Sequence, residues 1–387
     1  MKKVEEVRIE FIAAARERLH DENTITEVWD LIAGFQGYAF CRAHSTAYAV
    51  EAYQGAYAKH YHPAVFMAAV LSNGKGFYSA LVYTLECRRL GIGFLSPCVN
   101  AFTDAFVAMD VSESCSCSQS SEEERLRARA GARVKSAIRV PLRCIKDISA
   151  ATLSRWRQDH TPFITIRDFI SRVRPAAHEA LNLIRCGAFD RLGGTRTEHF
   201  WQCLHSARDV GHGDDWLLQD TAASDAIHTT FREEPTPLQK LQDEMELLGY
   251  TVTGHPLDLH PHIAWHTYCP IAELHRYHNQ CVTVCGLIIV SRHHMQQDGQ
   301  PMKFISICDY SGIVECEVFA AAYRLYGLNT VRYPVVQITA DVRPFDNEQG
   351  YTLEVRRIEK ARQLRSSLPV LSPTRSAETP SRSSMLR

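Results

Sequence analysis

Hydrophobic and polar positions follow two different periods along the chain. In the first two thirds, apolar residues recur at helical spacing, as at Val4, Val7 and Phe11. From residue 281 onward the period shortens to two, and the dipeptides Asp-Gly, Ser-Gly and Gln-Gly mark turns between the segments. The five strand-like segments are 281–290, 303–308, 314–319, 335–342 and 351–358.

A short helical segment, residues 320–326, falls between the third and fourth strand-like segments. Five strands with a helix in this place match the small Greek-key barrel called the OB-fold. We therefore predict a multidomain α+β protein. Its amino-terminal two thirds are mainly helical, and a five-stranded OB-fold β-barrel follows.

Changes in composition mark the boundaries between domains. Serine-rich residues 112–121 and the polar stretch from residue 209 predict linkers, and the end of the sequence, rich in serine, proline and arginine, predicts disorder. The predicted divisions are a helical region at 1–108, a low-complexity linker at 109–133, a basic helical region at 134–208, an acidic linker with a connector helix at 209–275, the barrel at 276–360 and a disordered tail at 361–387.

Charge is balanced over the whole chain but not along it. The 43 basic and 44 acidic residues give a net charge of -1, which excludes a uniformly basic nucleic-acid coat. Residues 134–175 nevertheless hold nine basic and three acidic residues, and residues 209–248 hold ten acidic and two basic ones. A basic helical segment beside an OB-like barrel indicates a nucleic-acid footprint. Arginines that merely solvate helix faces would give the same charge pattern, so charge alone leaves both interpretations open.

Thirteen cysteines are scattered without the spacing of a zinc site. Their odd number favours reduced structural thiols over a disulfide framework, and no metal site is predicted. The sequence has no apolar h-region near Met1 and no apolar run long enough to span a membrane. We expect a cytoplasmic protein that does not contact a membrane.

Three stretches carry a family resemblance. Residues 37–49 read Gly-Tyr-Ala-Phe-Cys-Arg-Ala-His-Ser-Thr-Ala-Tyr-Ala, residues 183–193 read Leu-Ile-Arg-Cys-Gly-Ala-Phe-Asp-Arg-Leu-Gly, and residues 254–257 read Gly-His-Pro-Leu. These, in this order, resemble the bacterial DNA polymerase III alpha subunit family: the end of the fingers, the helix-hairpin-helix region and the connector. With the barrel, the resemblance extends over roughly residues 1–360 and corresponds to the carboxy-terminal portion of the family.

The resemblance implies part of a DNA-directed DNA polymerase acting in replication or error-prone repair synthesis. The family transfers nucleotides by two-metal chemistry at palm carboxylates that include an Asp-x-Asp pair. No Asp-x-Asp occurs in this sequence. We therefore expect no catalytic residue and no cofactor in this chain, with Mg²⁺ held only in a complete polymerase. The alternative is a non-catalytic DNA-binding scaffold or an inactive polymerase remnant.

The resemblance places the incoming nucleotide near Arg42, His44 and Ser45. A cation and polar donors at a helix start suit an anionic ligand. The alternative is that His44 and Ser45 cap a helix whose first turn begins at Thr46. Tyrosines at 48, 53 and 57 are spaced as core positions of that helix.

Two sets of residues are predicted to bind DNA. The duplex set lies in the helix-hairpin-helix region and comprises Arg139, Arg143, Lys146, Arg155 and Gly187. The single-strand set lies in the barrel and comprises Arg292, Lys303, Phe304, Phe319 and Arg343. Phe304 alternates with Ile305, so the sequence leaves open which of the two faces the barrel core.

Departures from the family pattern limit these expectations. Asp147 and Ser149 stand where the family often has Gly-x-Gly, and an acid facing phosphate predicts a weaker first hairpin. Residues 205–236 contain no sliding-clamp peptide of the Gln-x-x-Leu-Phe kind. The expected partners are DNA and other replication subunits.

Overall fold

The computed structural model describes residues 2–34, 42–74, 76–110, 136–209, 233–296, 298–345 and 350–364. Most of the predicted low-complexity linker, the acidic stretch at 210–232, the start of the Gly-Tyr-Ala-Phe motif and the tail from 365 lie outside these residues. The chain divides into two compact units, Met1–Phe66 and Met67–Arg387.

The first unit is helical. Its helices are α1 (Lys2–Glu17), α2 (Glu22–Gly34) and α3 (Arg42–Tyr61), and α4 (Pro63–Asn73) begins in it. The rings of Phe11 and Trp29 lie 5.7 Å apart and pack α1 against α2, beside the buried Ile25. In the described part of this unit, the buried apolar residues are Ile25, Trp29 and Ala64.

Helix α3 differs from its sequence-based prediction in two ways. It begins at Arg42, so His44 and Ser45 lie inside its first turn instead of capping it. The tyrosines at 48, 53 and 57, predicted as core, are 61%, 73% and 52% exposed. The apolar residues of α3 are spread around the helix and form no single stripe, so spacing alone does not identify a buried face.

In the second unit, the rest of α4 is followed by helix α5 (Ala80–Arg89) and a three-stranded sheet. Its strands are β1 (Ile92–Leu95), β2 (Val107–Asp110) and β3 (Ser136–Arg139), in the order β1-β3-β2. β3 pairs with β1 in parallel and with β2 in antiparallel register. The sequence predicts only helices here, because four-residue strands are too short to display a period of two.

Short helices with polar caps build the helix-hairpin-helix region. A 3-10 turn, Leu142–Cys144, leads to α6 (Ala150–Gln158), α7 (Ile166–Val173) and α8 (Ala177–Arg185); after a second 3-10 turn, Asp190–Leu192, comes α9 (Arg196–Asp209). The Ser149 and Thr165 hydroxyls accept hydrogen bonds at the starts of α6 and α7. Trp156, Phe169 and Phe189, all at most 1% exposed, lie in the core between these helices.

Helix α10 (Pro237–Leu248) is the predicted connector helix. Thr236 and Gln239 form a capping box at its start, and Gly249 ends it in the left-handed conformation with φ 79°. Leu247 joins the core of the helix-hairpin-helix region. Three 3-10 turns, Pro256–Leu259, Trp265–Thr267 and Ile271–Arg276, continue to the barrel.

Five strands close into a barrel in the order β4-β5-β6-β8-β7. All neighbours pair antiparallel except β6 and β8, which pair in parallel. Its elements are β4 (Cys281–Met295), β5 (Pro301–Cys308), β6 (Ile313–Val318), α11 (Ala320–Tyr326), α12 (Asn329–Arg332), β7 (Val335–Pro344) and β8 (Tyr351–Lys360). A mainly helical two thirds followed by a five-stranded barrel is therefore confirmed. Among the described residues, no helix is both long and apolar enough to cross a membrane.

Candidate nucleic-acid interface

One buried carboxylate joins the starts of two helices in the helix-hairpin-helix region. Glu179 is 2% exposed and accepts hydrogen bonds from the Ser149 amide (2.6 Å), the Ala176 amide (2.7 Å) and the Thr152 hydroxyl (2.7 Å). Burial opposes ionisation, but the hydrogen bonds outweigh it and hold the pKa of Glu179 below its ordinary value. The first hairpin is therefore fixed to α8 by a single charged side chain.

The turn of the first hairpin has Asp147 and Ser149 in place of Gly-x-Gly, but its backbone conformation is one that glycine favours. Asp147 adopts the left-handed conformation with φ 59°, which glycine adopts more easily. The Ser149 amide is already bound to Glu179, so it is not directed at a phosphate. The Lys146 amide donates to the Leu247 carbonyl at 2.9 Å, and the Asn182 side chain donates to the Lys146 carbonyl at 3.0 Å.

The four cations predicted to contact duplex DNA have different surroundings. Arg139 is 4% exposed and donates to the Ser96 carbonyl at 2.7 Å, so the prediction that it contacts DNA is not supported by its position. Arg143 is exposed, yet it donates to the backbone carbonyls of Ser72 and Asp104. Lys146 is exposed, and no hydrogen bond or ion pair of its ammonium occurs among the described residues.

Arg155 closes the end of helix α7. Its guanidinium donates to the carbonyls of Val173 (2.6 Å) and Arg174 (2.9 Å), next to the Thr152 hydroxyl at 3.0 Å. A cation at a helix carboxyl end satisfies the unpaired carbonyls and the helix dipole. Three of the four predicted cations thus hold backbone groups in place, and Lys146 remains open to a phosphate.

Gly187 makes room for the ion pair between the buried Arg196 and Asp190. Its φ is 76°, and a Cβ there would overlap the guanidinium of Arg196 and the carboxylate of Asp190. Arg196 is 2% exposed, lies 2.9 Å from Asp190 and donates to the Arg185 carbonyl at 2.5 Å. The glycine predicted to serve DNA binding at the second hairpin therefore has a packing role in this structure.

Acidic residues of the connector helix are paired with the helix-hairpin-helix region. Arg185 of α8 lies 2.6 Å from both Asp243 and Glu246 of α10. Glu244 is fully buried and accepts the Val252 amide at 2.7 Å; burial raises its pKa. Some of the acidic residues in the segment 209–248 therefore neutralise neighbouring cations and hold the connector helix in place.

The Gly-His-Pro-Leu motif joins the connector to the barrel. The His255 amide and the Tyr310 hydroxyl donate to the two oxygens of Asp258, each at 2.9 Å, and the rings of His255 and Tyr310 lie 4.8 Å apart. Burial, and next the positive charge of Arg88, lower the pKa of His255 to about 4. A cleft of about 890 Å³ opens between this motif, β1 and α10.

The barrel residues predicted to bind single-stranded DNA do not all lie on one face. Ile305 and Ile307 are fully buried, so Phe304 lies on the outer face. Lys303 is on the inner face and only 2% exposed; its ammonium donates to the Thr330 hydroxyl at 2.7 Å, and burial lowers its pKa. Its predicted DNA contact is not supported, because the charge does not reach the surface.

Neither Arg343 nor Phe319 is a direct strand partner of Phe304. Arg343 is exposed and forms an ion pair with Glu354 at 2.7 Å. Phe319 precedes α11 at its N-cap position and is 36% exposed. Arg292 pairs directly with Phe304 across β4 and β5, so these two side chains lie on one face.

A segment that the sequence pattern does not connect with the barrel completes this face. The guanidinium carbon of Arg292 lies 4.1 Å from the ring centre of Phe77 and 5.2 Å from that of Tyr78. Both rings come from the short connection between α4 and α5. Adjacent aromatic residues after Gly76 were the available signal, but nothing local links them to a strand far along the chain.

The residues predicted to contact the incoming nucleotide lie in the first unit. Arg42 begins α3, and its side chain is outside the described part of the structure. His44 and Ser45 are exposed in the first turn, and the His44 ring lies 4.5 Å from that of Tyr48.

The comparison with known proteins agrees with this geometry. A family model described as a helix-hairpin-helix motif matches residues 91–199, which hold the sheet and the helices α6 to α8. The chain is also similar to DNA polymerase III alpha subunits: it is 29% identical to that of Saccharopolyspora erythraea and 26% identical to that of Aquifex aeolicus, each over 82% of this chain. An error-prone DNA polymerase of Symbiobacterium thermophilum is 27% identical over 78% of the chain.

The resemblance found in the motifs is thereby confirmed. The chain spans 25–30% of the length of these relatives. A single-stranded DNA binding protein from Mycoplasma pneumoniae, 14% identical, aligns with 23% of this chain and 96% of its own, at a TM-score of 0.15. That score is too low to support an argument, and the barrel is assigned from its own strand pairing.

Proposed function

We propose that this chain is the DNA-holding portion of a DNA polymerase III alpha-like polymerase, acting in replication or in error-prone repair synthesis. The carrying observation is that similarity to these polymerases covers 82% of the chain, while the matched family model is a helix-hairpin-helix motif. Both replicative and error-prone relatives match, so the proposal includes both kinds of synthesis.

The two DNA forms would be divided between two parts of the second unit. The helix-hairpin-helix region takes duplex DNA through its backbone, with Lys146 as the exposed phosphate contact. The barrel takes single-stranded DNA on its outer face around Arg292 and Phe304. Phosphate contacts set affinity and its salt dependence, whereas stacking on aromatic rings accepts any base.

Nucleotidyl transfer is assigned to the complete polymerase and not to this chain alone. Arg42, His44 and Ser45 are proposed to approach the triphosphate, because the matching motif lies at the start of α3. The metal-binding carboxylates, with their Mg²⁺, would come from a palm domain, since this sequence contains no Asp-x-Asp pair. Other replication subunits are proposed as further partners.

Binding to fluorescent DNA tests the proposal. Purified chain should bind a primer–template junction, and the logarithm of its affinity should fall linearly with the logarithm of salt concentration. The same chain should not extend the primer by itself. Absence of binding to duplex, junction and single strand at low salt would contradict the proposal.

A non-catalytic scaffold is the second candidate, and the missing Asp-x-Asp pair favours it. The two candidates separate when a polypeptide carrying the palm and thumb of a similar polymerase is added. Primer extension that rises with the concentration of this chain supports a polymerase part. DNA binding with no effect on extension supports the scaffold.

A further inference from the structure

The connection between α4 and α5 packs onto the outer face of the barrel. Phe77 is 75% exposed, and one face of its ring lies on the Arg292 guanidinium at 4.1 Å. Gly76, just before it, packs so closely on the Tyr83 ring that a Cβ would overlap that ring. The position of the connection is therefore set by packing on both sides of Phe77, and much of the Phe77 ring remains uncovered.

Arg292 is positioned as the centre of an aromatic cluster. Its Nε is buried without a hydrogen-bond partner among the described residues, and no ion pair of its guanidinium occurs among them. Phe304 lies directly opposite it on β5, with the His294 ring 6.0 Å from Phe304. A weakly hydrated, planar guanidinium between rings favours stacking over charge pairing.

Acidic residues on the neighbouring strand β6 restrict the direction from which a polyanion can approach this cluster. Glu317 on β6 lies opposite Phe304, and Glu315 and Glu354 are close enough to Glu317 that, together with burial as the larger cause, they raise its pKa. A polyanion is repelled from the β6 side. The β4 side, where Phe77 lies, carries Arg292 and no acidic residue between 281 and 296.

From this geometry we infer that Phe77, Arg292 and Phe304 form one stacking platform for the unpaired bases of single-stranded DNA, with the phosphates on the Arg292 side. This rests on the proposed function and adds to it a binding residue from outside the barrel. Phe77 presents its uncovered ring to a base, and Arg292 supports that ring from below. The strand then crosses β4 and β5 and avoids the acidic face of β6.

Two substitutions at the same position test the platform. Phe77→Leu keeps an apolar side chain but removes the aromatic face, so affinity for labelled oligothymidylate should fall about tenfold. Phe77→Trp keeps a stacking ring, so affinity should stay within about threefold of the unchanged chain. The added indole should also lose emission when the oligonucleotide binds, beyond the change seen in the unchanged chain.

A control and the stability of each variant separate the alternatives. Leu328→Ala removes an apolar side chain that is 85% exposed on the barrel, and it should leave affinity unchanged. If Phe77→Leu lowers the melting temperature but not the affinity, Phe77 only packs, and the inference is overturned. Unquenched Phe77→Trp emission overturns it as well. If the unchanged chain binds duplex but not single strands, the barrel part of the proposed function fails first.

Discussion

The helix-hairpin-helix region and the barrel use their arginines in different ways. In the former, Arg139, Arg155 and Arg196 donate to backbone carbonyls, and Arg196 also pairs with Asp190. In the barrel, Arg343 forms a surface ion pair, while Arg292 lies against the rings of Phe77 and Tyr78. A basic stretch of sequence therefore overstates the positive charge available to DNA, because much of it is used to order short helices.

The largest expected effect on stability comes from removing Glu179, which accepts hydrogen bonds at the starts of both α6 and α8. Glu179→Ala leaves the Ser149 and Ala176 amides and the Thr152 hydroxyl without their acceptor. We expect a loss of about 3–5 kcal/mol in the free energy of unfolding. Urea unfolding followed by tryptophan fluorescence, to which the buried Trp156 contributes, measures it.

The matched control is Glu359→Ala on the barrel. Glu359 lies on the surface, 2.7 Å from Arg357, and its loss should cost at most about 0.5 kcal/mol. Equal effects of the two substitutions would mean that Glu179 does not organise the hairpin.

Two glycines with a similar positive φ test the packing role of the second hairpin. Gly187→Ala places a Cβ against the Arg196–Asp190 pair, whereas Gly249 has φ 79° and open space around it. Gly187→Ala should lower the free energy of unfolding by about 2–3 kcal/mol, and Gly249→Ala by about 1 kcal/mol. Thermal melts of both variants measure the difference. If the two lose the same amount, backbone strain alone explains Gly187.

The Gly-His-Pro-Leu motif, which joins the connector to the barrel, should make the stability of the protein depend on pH. The pKa of His255 is lowered to about 4 from an ordinary 6.5, so the folded state favours the neutral ring. The stability it contributes is fully present above about pH 6.5 and is lost as the pH falls through about 4. His255→Asn keeps a cap acceptor but does not titrate, so it should flatten the melting temperature between pH 6.5 and 4.5. An unchanged slope would place the titrating group elsewhere.

Lys146 should act on DNA binding and not on stability. Lys146→Ala is expected to weaken duplex binding about fivefold and to reduce the salt slope by about one. Fluorescence anisotropy at several salt concentrations measures both. Lys240→Ala removes a lysine that is paired with Glu234 and serves as the control. A larger loss for Lys240→Ala would place the duplex on the connector helix.

The smallest effect is expected at Arg343. Its ion pair with Glu354 is exposed, so Arg343→Ala should change the free energy of unfolding by less than about 0.5 kcal/mol. Affinity for single-stranded DNA should also stay the same, because Glu354 already neutralises the charge. A tenfold loss would move the binding face toward β7 and β8.

The barrel strands and the helix end at Gly249 could be predicted from the sequence, because each depends on residues close together in the chain. Alternation gave all five barrel strands, and Gly249 marked the end of the connector helix. The three-stranded sheet was missed because its strands are four residues long and β1 pairs with a strand beyond the serine-rich stretch.

The candidate site was predictable only in part. Arg292 and Phe304 were found from residue type and alternation, and the pairing of β4 with β5 brings them together. Their partner Phe77 was not found, because its position depends on packing between distant segments. The prediction for Lys303 is not supported by its burial, because alternation did not say which face of β5 is inside; the burial of Ile305 decides it.

The antiparallel pairing of β2 with β3 has a practical consequence. These strands meet directly although residues 111–135 separate them in the chain. Because Asp110 and Ser136 are register partners, the two ends of this connection are fixed beside each other. A reporter domain whose own ends lie close together would match that spacing, which makes this connection a place from which to follow the protein.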